Sequence, residues 1–189
     1  DVGGAIARVL ATVGVDVAIS YAGNLEGATT TVEVVQAAGR RSLSVQLDQR
    51  DPEAINALVD KVVGEFGQVD ILVNNAAWNI GIPFTDLDAL TAEVWDRVQE
   101  TNTRGPYLLA RAFAPHLRAH GAGRIVNIAS AAGLFPGGSS IAYATSKASL
   151  IHLTRCLAVA LAPDVTVNCI APGLVEGTRM AQRIPAEMI

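Results

Sequence analysis

Apolar residues along this chain follow two alternating rhythms. Residues 15–20, 42–47, 69–73, 124–128 and 165–170 form short, nearly continuous apolar runs rich in valine and isoleucine. Runs of this kind predict strands of a parallel sheet covered on both faces. Between them, residues 3–13, 25–38, 52–66, 89–120 and 142–162 carry helical periodicity. The fourth of these stretches is expected to break near residues 103–106, where Gly105-Pro106 interrupts it. Asp51-Pro52 reads as a helix start, with Asp as N-cap and Pro at the first helical position. Gly14, Gly39 and Gly67 each follow a helical run, where glycine commonly closes a helix.

Strands and helices alternate throughout, which predicts one doubly wound α/β domain of the Rossmann type over residues 1–189. Such folds begin with a central strand. Here a glycine turn and a helix come first, and the chain stops at Ile189 soon after a helix-like start at Thr178. The natural polypeptide is therefore expected to continue in both directions. At 189 residues a chain can bury about 70% of its unfolded surface, so neither disulfides nor a metal are needed to hold the core.

Half the residues are apolar and 17% are charged, a composition that folds. The net charge of −4, the pI near 5.3 and the lack of a basic run argue against a nucleic-acid partner, whose phosphates call for clustered Lys and Arg. The apolar runs fall far short of the roughly 18 residues a membrane span requires. Asp1-Val2-Gly3-Gly4 carries no basic leader, so no secretory signal is expected. Cys156 and Cys169, without a CxxC spacing, read as buried thiols of a reducing compartment, and a cytoplasmic location is expected. His116, His120 and His152 share no spacing with a carboxylate cluster, and no metal is expected.

Ligands of open parallel sheets sit at the carboxyl ends of the strands. Asp48, Asn74-Asn75-Ala76, Ser130 and Pro172-Gly173 all fall there. Tyr143 and Lys147, spaced i and i+4 at the start of a helix, share one face. An ammonium beside a phenol favours phenolate and would lower a pKa of about 10, preparing the tyrosine for proton exchange with a substrate oxygen. A surface tyrosine packed on a lysine stem accounts for the same spacing.

Asn102, Ser130, Tyr143 and Lys147 together resemble the Asn-Ser-YxxxK tetrad of the short-chain dehydrogenase/reductase (SDR) family. The resemblance covers nearly the whole chain. Asn74-Asn75-Ala76-Ala77 is similar to the family's NNAG, with Ala77 replacing glycine, and Pro172-Gly173 is similar to its PG turn. Two departures stand out. Gly3 matches the last glycine of TGxxxGxG, but Asp1 stands where a glycine is usual. Pro172-Gly173-Leu174-Val175-Glu176-Gly177-Thr178 is one residue longer than the family's PG-x-V-x-T.

The resemblance implies an oxidoreductase that interconverts a ketone and a secondary alcohol by hydride transfer, with 3-oxoacyl-acyl-carrier-protein reductases as the nearest texture. It implies that Tyr143 is the acid/base, that Lys147 binds the nicotinamide ribose, that Ser130 polarises the carbonyl and that Asn102 holds a relay water. Cofactor contacts follow at Gly3, Asp48, Asn74, Ala76, Pro172, Gly173, Val175 and Thr178, the last either on the nicotinamide amide or as a plain helix cap. Tyr21 stands where an acid would select NAD, so NADP is expected, with NAD the alternative, although no Arg or Lys is nearby to pair with a 2′-phosphate. Trp78, Phe135, Met180, Ile184 and Met188 could line an apolar pocket for a small carbonyl substrate, or pack in the core. The two long helices are expected to pair subunits into a homotetramer or homodimer. The rival expectation is a family member that binds a dinucleotide without reacting, as a sensor or scaffold.

Overall fold

The computed structural model describes residues 1–178, so Met180, Ile184 and Met188 lie outside the described residues. Two compact units divide the chain. The first comprises Asp1–Asp48 with the described residues from Leu174 onward. Helix α1 (Val2–Thr12) and α2 (Leu25–Ala37) pack on the parallel pair β1 (Val17–Tyr21) and β2 (Ser42–Gln46). Ala7, Ala11 and Val35 form its buried centre, with Val17 against them. Small alanines on one face of α1 let the helices approach closely. Asn24 caps α2, its side chain accepting the Gly27 N–H at 3.1 Å.

The second unit, Gln49–Gly173, contains α3 (Pro52–Phe66), β3 (Ile71–Asn74), α4 (Ala92–Gln99), α5 (Gly105–Arg118), β4 (Gly123–Ile128), α6 (Ile141–Leu161) and β5 (Val165–Ile170). Its strands run parallel in the order β3-β4-β5, with Asn74 opposite Asn127 and Asn127 opposite Cys169. Asp51 caps α3 as its spacing predicted, accepting from Glu53 and Ala54 N–H, and Gly67 closes the helix at φ 80°. Ile55, Leu58, Phe113, Leu117, Ile125, Leu150 and Val165 are among the side chains buried in this unit. The fold is α/β with exclusively parallel pairing among the described strands.

Two expectations need correction. The stretch at 89–120 does not break: α4 passes through a π turn, Glu100–Arg104, directly into α5. Pro106 removes one N–H, and the helix absorbs the loss by widening. The cysteines are not buried thiols. Cys156 lies on the exposed side of α6, off the buried stripe of Thr154, Leu157 and Leu161, whereas Cys169 shares the face of Val165 and Val167 on β5 but is only half-buried near the strand's carboxyl end.

Candidate active site

Parallel pairing brings the ends of β3, β4 and β5 to one edge of the second unit, and the polar residues of that unit gather there. Ser130 follows β4 and caps a short 3-10 turn, Ala131–Gly133, its hydroxyl accepting the Ala132 N–H at 3.2 Å. The Ala131 N–H donates to the Pro172 carbonyl at 2.8 Å, which ties the Pro172-Gly173 turn after β5 to the Ser130 segment. Asn74, the last residue of β3, is buried. Its Nδ2 donates to Asn127 Oδ1 at 2.8 Å, and its own Oδ1 has no partner among the described residues. Asn127 Nδ2 donates in turn to Thr154 Oγ1 at 2.9 Å, so one polar chain crosses from β3 through β4 to α6.

Helix α6 carries Tyr143 and Lys147. Ser140, fully buried, caps it by accepting the Tyr143 N–H at 3.1 Å. Tyr143 and Lys147 share the buried face, as their spacing predicts, and the Lys147 ammonium lies 5.7 Å from the centre of the Tyr143 ring. Lys147 is only 3% exposed. Its Nζ donates to the Ile128 carbonyl at 2.8 Å, and burial lowers its pKa from 10.5 to about 8. The helix can approach so closely because residue 133 is glycine: a Cβ there would lie 2.6 Å from the Lys147 carbonyl carbon.

The expected lowering of the Tyr143 pKa is corrected by the structure. Burial raises the phenol above its ordinary value, and the Ser130 hydrogen bond pulls it only part of the way back. The spacing of Tyr143 and Lys147 reads proximity correctly but carries no information on desolvation, which opposes phenolate in this buried position.

Asn102 lies within the π turn and is 1% exposed. Its carboxamide is fully engaged. Oδ1 accepts the Trp78 N–H at 2.8 Å, while Nδ2 donates to the Trp78 carbonyl at 2.9 Å and to Ser146 Oγ at 3.0 Å. Ser146 Oγ donates to the Tyr143 carbonyl at 2.7 Å, which links the π turn to the tyrosine's own turn of helix. Ser146 and Trp78 therefore belong to the site's framework. Ser146 was legible only as the neighbour of Lys147. Trp78, expected either to line a pocket or to pack in the core, is half-buried beneath Arg97, whose guanidinium sits 4.3 Å from its ring centre. Phe135 is exposed on the loop before α6.

The remaining expected contacts divide between the units. Ala76 is exposed just beyond β3, and its carbonyl lies 3.3 Å from Gln49 Nε2. In the first unit, Gly3 occupies the first turn of α1, whose initial N–H groups have no partners within the helix. Tyr21 ends β1, and its carbonyl accepts the Leu47 N–H at 2.8 Å. Asp48 is exposed after β2. Val175 is exposed, and the Thr178 hydroxyl donates to its carbonyl at 2.8 Å, closing a local turn.

A phenol, a buried amine and a hydroxyl thus lie near one strand edge, and the chain as a whole is similar to known proteins in sequence and fold. A 3-oxoacyl-acyl-carrier-protein reductase, FabG, of Staphylococcus aureus is 35% identical over 176 residues, covering 92% of this chain and 70% of the relative. A cis-4-hydroxycyclohexanecarboxylate dehydrogenase of Sinomonas cyclohexanicum is 36% identical over 188 residues, covering 99% and 74%. The crystal structure of an NAD+-bound xylitol dehydrogenase superposes with a TM-score of 0.90 at 32% identity, covering 96% of this chain and 69% of that one. The sequence model described as short chain dehydrogenase matches residues 2–188, nearly the whole sequence, and the chain belongs to that family.

Proposed function

We propose that the chain is an NADP(H)-preferring oxidoreductase that interconverts a ketone and a secondary alcohol, with 3-oxoacyl thioesters among the ketones it accepts. The observation that carries this reading is the Tyr143–Lys147 pair buried on one face of α6, with Ser130 near enough to lower the phenol's pKa against the effect of burial. In reduction, a phenol whose pKa is raised holds its proton at neutral pH and can give it to the substrate oxygen as negative charge develops there. Ser130 donates a hydrogen bond to the same oxygen, stabilising the alkoxide. Lys147, close to its own pKa at about 8, replenishes the proton and holds the site's positive charge. Asn102 serves the relay from the π turn, with both of its amide hydrogens already committed to protein groups.

The residues present suit a nicotinamide dinucleotide. Lys147 Nζ spends one N–H on Ile128 and keeps two for ribose hydroxyls. The buried Asn74 Oδ1, without a partner among the described residues, offers an acceptor at the strand edge. When bound, the dinucleotide supplies or accepts the hydride. Gly3, Tyr21, Asp48, Asn74, Ala76, Pro172, Gly173, Val175 and Thr178 complete the reading as cofactor contacts. The NADP preference rests on Tyr21 at the end of β1, in the position where an acid would favour NAD.

A homodimer or homotetramer belongs to the same reading, supported by Tyr107 and Val159, which are exposed on α5 and α6. Light scattering on the purified protein tests it. The cytoplasm is the proposed location. Among the described residues no helix is long and apolar enough to cross a membrane.

The test combines Tyr143→Phe with titration of NADPH and NADH. Tighter NADPH binding, with carbonyl reduction that drops at least a hundredfold in kcat in the variant, is the expected result. Tighter NADH binding would overturn the cofactor preference alone. Equally low turnover in parent and variant would favour a dinucleotide-binding protein without catalysis.

A further inference from the structure

Pro106 creates a backbone problem that the chain solves with a residue outside the tetrad. In an α-helix the Asn102 carbonyl would receive the N–H of residue 106, which proline lacks, and the proline ring crowds that same carbonyl. The helix widens to the π form at Glu100–Arg104, and the Gly105 N–H bonds the Glu100 carbonyl, five residues back. One position further, the same spacing would pair the Thr101 carbonyl with Pro106, which again has no donor. The Gly105 N–H, its other helical candidate, is already used.

Gln49 meets that carbonyl. Its Nε2 donates to Thr101 O at 2.6 Å and also lies 3.3 Å from Ala76 O, in the segment that follows β3. Gln49 is buried, and Gly105 makes room for it: a Cβ on Gly105 would stand 2.8 Å from Gln49 Cγ and 3.1 Å from its carbonyl oxygen. Two adjacent rungs thus join the segment after β3 to the π turn. Gln49 connects Ala76 to Thr101, and Asn102 connects itself to Trp78. The second rung continues through Ser146 to the Tyr143 carbonyl.

We propose that Gln49 is a positioning residue for the Tyr143 centre, holding the π turn in register with the Ala76–Trp78 segment so that Asn102 engages Trp78 and Ser146 together. The inference rests on the reductase reading given above. It extends that reading to a side chain that acts through Asn102, at the chain's answer to a proline inside a helix.

Gln49→Met keeps the length and burial while removing both amide hydrogens, and Gln49→Glu keeps the shape while placing a carboxylate against two carbonyls. Each is examined for kcat, KM and the pH profile of carbonyl reduction, and again in a Trp95→Phe background in which Trp78 is the remaining tryptophan. The expected result is a fall in kcat of roughly tenfold with little change in the carbonyl KM. A displaced pH profile and a red-shifted, more easily quenched Trp78 emission should accompany it. If Gln49 merely fills space, the melting temperature falls while kcat, pH profile and emission stay as in the parent, and the proposal is overturned. Should the methionine variant fail to fold, the glutamate variant decides by the same readouts. A parent without carbonyl reduction overturns the reductase reading, and unchanged Trp78 emission would then overturn the rung as well.

Discussion

Asn102 holds both backbone polar groups of Trp78 with one carboxamide, accepting its N–H at 2.8 Å and donating to its carbonyl at 2.9 Å. The pairing copies the two-bond exchange of an antiparallel strand pair, with a side chain as one partner. Asn102 itself is buried and Trp78 half-buried, so removing Asn102 strands the Trp78 groups and costs one buried bond to Ser146. A buried polar group left unsatisfied costs about 1–3 kcal/mol. Asn102→Ala is therefore expected to lower stability in urea by at least about 3 kcal/mol. A loss below about 1 kcal/mol would mean that water replaces the amide at little cost.

Lys147 makes stability depend on alkaline pH. Its folded pKa, about 8, lies below the ordinary 10.5, so between those values the unfolded chain binds more protons than the folded one. Stability consequently rises with pH through that window and is flat below it, where the full desolvation cost is already present. Relative to Lys147→Met, the parent should gain roughly 2–3 kcal/mol between about pH 8 and pH 10.5. Denaturant titrations of both proteins across the window check this, and parallel curves would show that the amine is effectively solvated.

Ser130 and Tyr143 make a linked pair whose sign is opposite to the simple expectation for a tyrosine beside a lysine. Burial raises the phenol and the Ser130 hydrogen bond lowers it, so Ser130→Ala should move the Tyr143 titration further upward. The difference ultraviolet spectrum between each protein and its Tyr143→Phe counterpart isolates that midpoint. The same variant should lose about 10²-fold or more in kcat, as expected for removal of a donor to the developing alkoxide. A downward shift of the phenol would place the two side chains out of contact.

Much of this organisation was legible in the sequence because it depends on local period and local chemistry. The β5 range, the Asp51 cap of α3 and the shared face of Tyr143 and Lys147 follow from apolar runs, a capping dipeptide and i, i+4 spacing. What escaped depends on partners far along the chain. A proline within a helical stretch reads as a break unless a distant Gln49 is known to meet the freed carbonyl, 52 residues away. The raised phenol pKa reflects desolvation by many residues at once, which spacing does not encode. No local spacing marks Gly133, whose lack of a side chain is what admits the Lys147 backbone 14 residues further on.

The buried chain from Asn74 through Asn127 to Thr154 offers a way to separate stability from the dinucleotide contact proposed at Asn74. Asn127 Oδ1 accepts from Asn74 and its Nδ2 donates to Thr154 Oγ1, while Thr154 also donates to the Leu150 carbonyl at 2.8 Å. Thr154→Val preserves shape and removes the acceptor for Asn127, which should cost about 1–3 kcal/mol. Asn127→Leu removes the acceptor of the Asn74 amide, whose Oδ1 already lacks a partner among the described residues, and should cost at least as much. In the double variant the shared bond is lost only once, so a coupling energy of about 1 kcal/mol is expected from denaturation of the four proteins. Dinucleotide affinity should follow the Asn74 end alone: Asn127→Leu weakens it by freeing Asn74 to reorient, and Thr154→Val leaves it within about twofold. Equal weakening by both would make the three residues one rigid unit, and no weakening by either would remove Asn74 from the cofactor contacts.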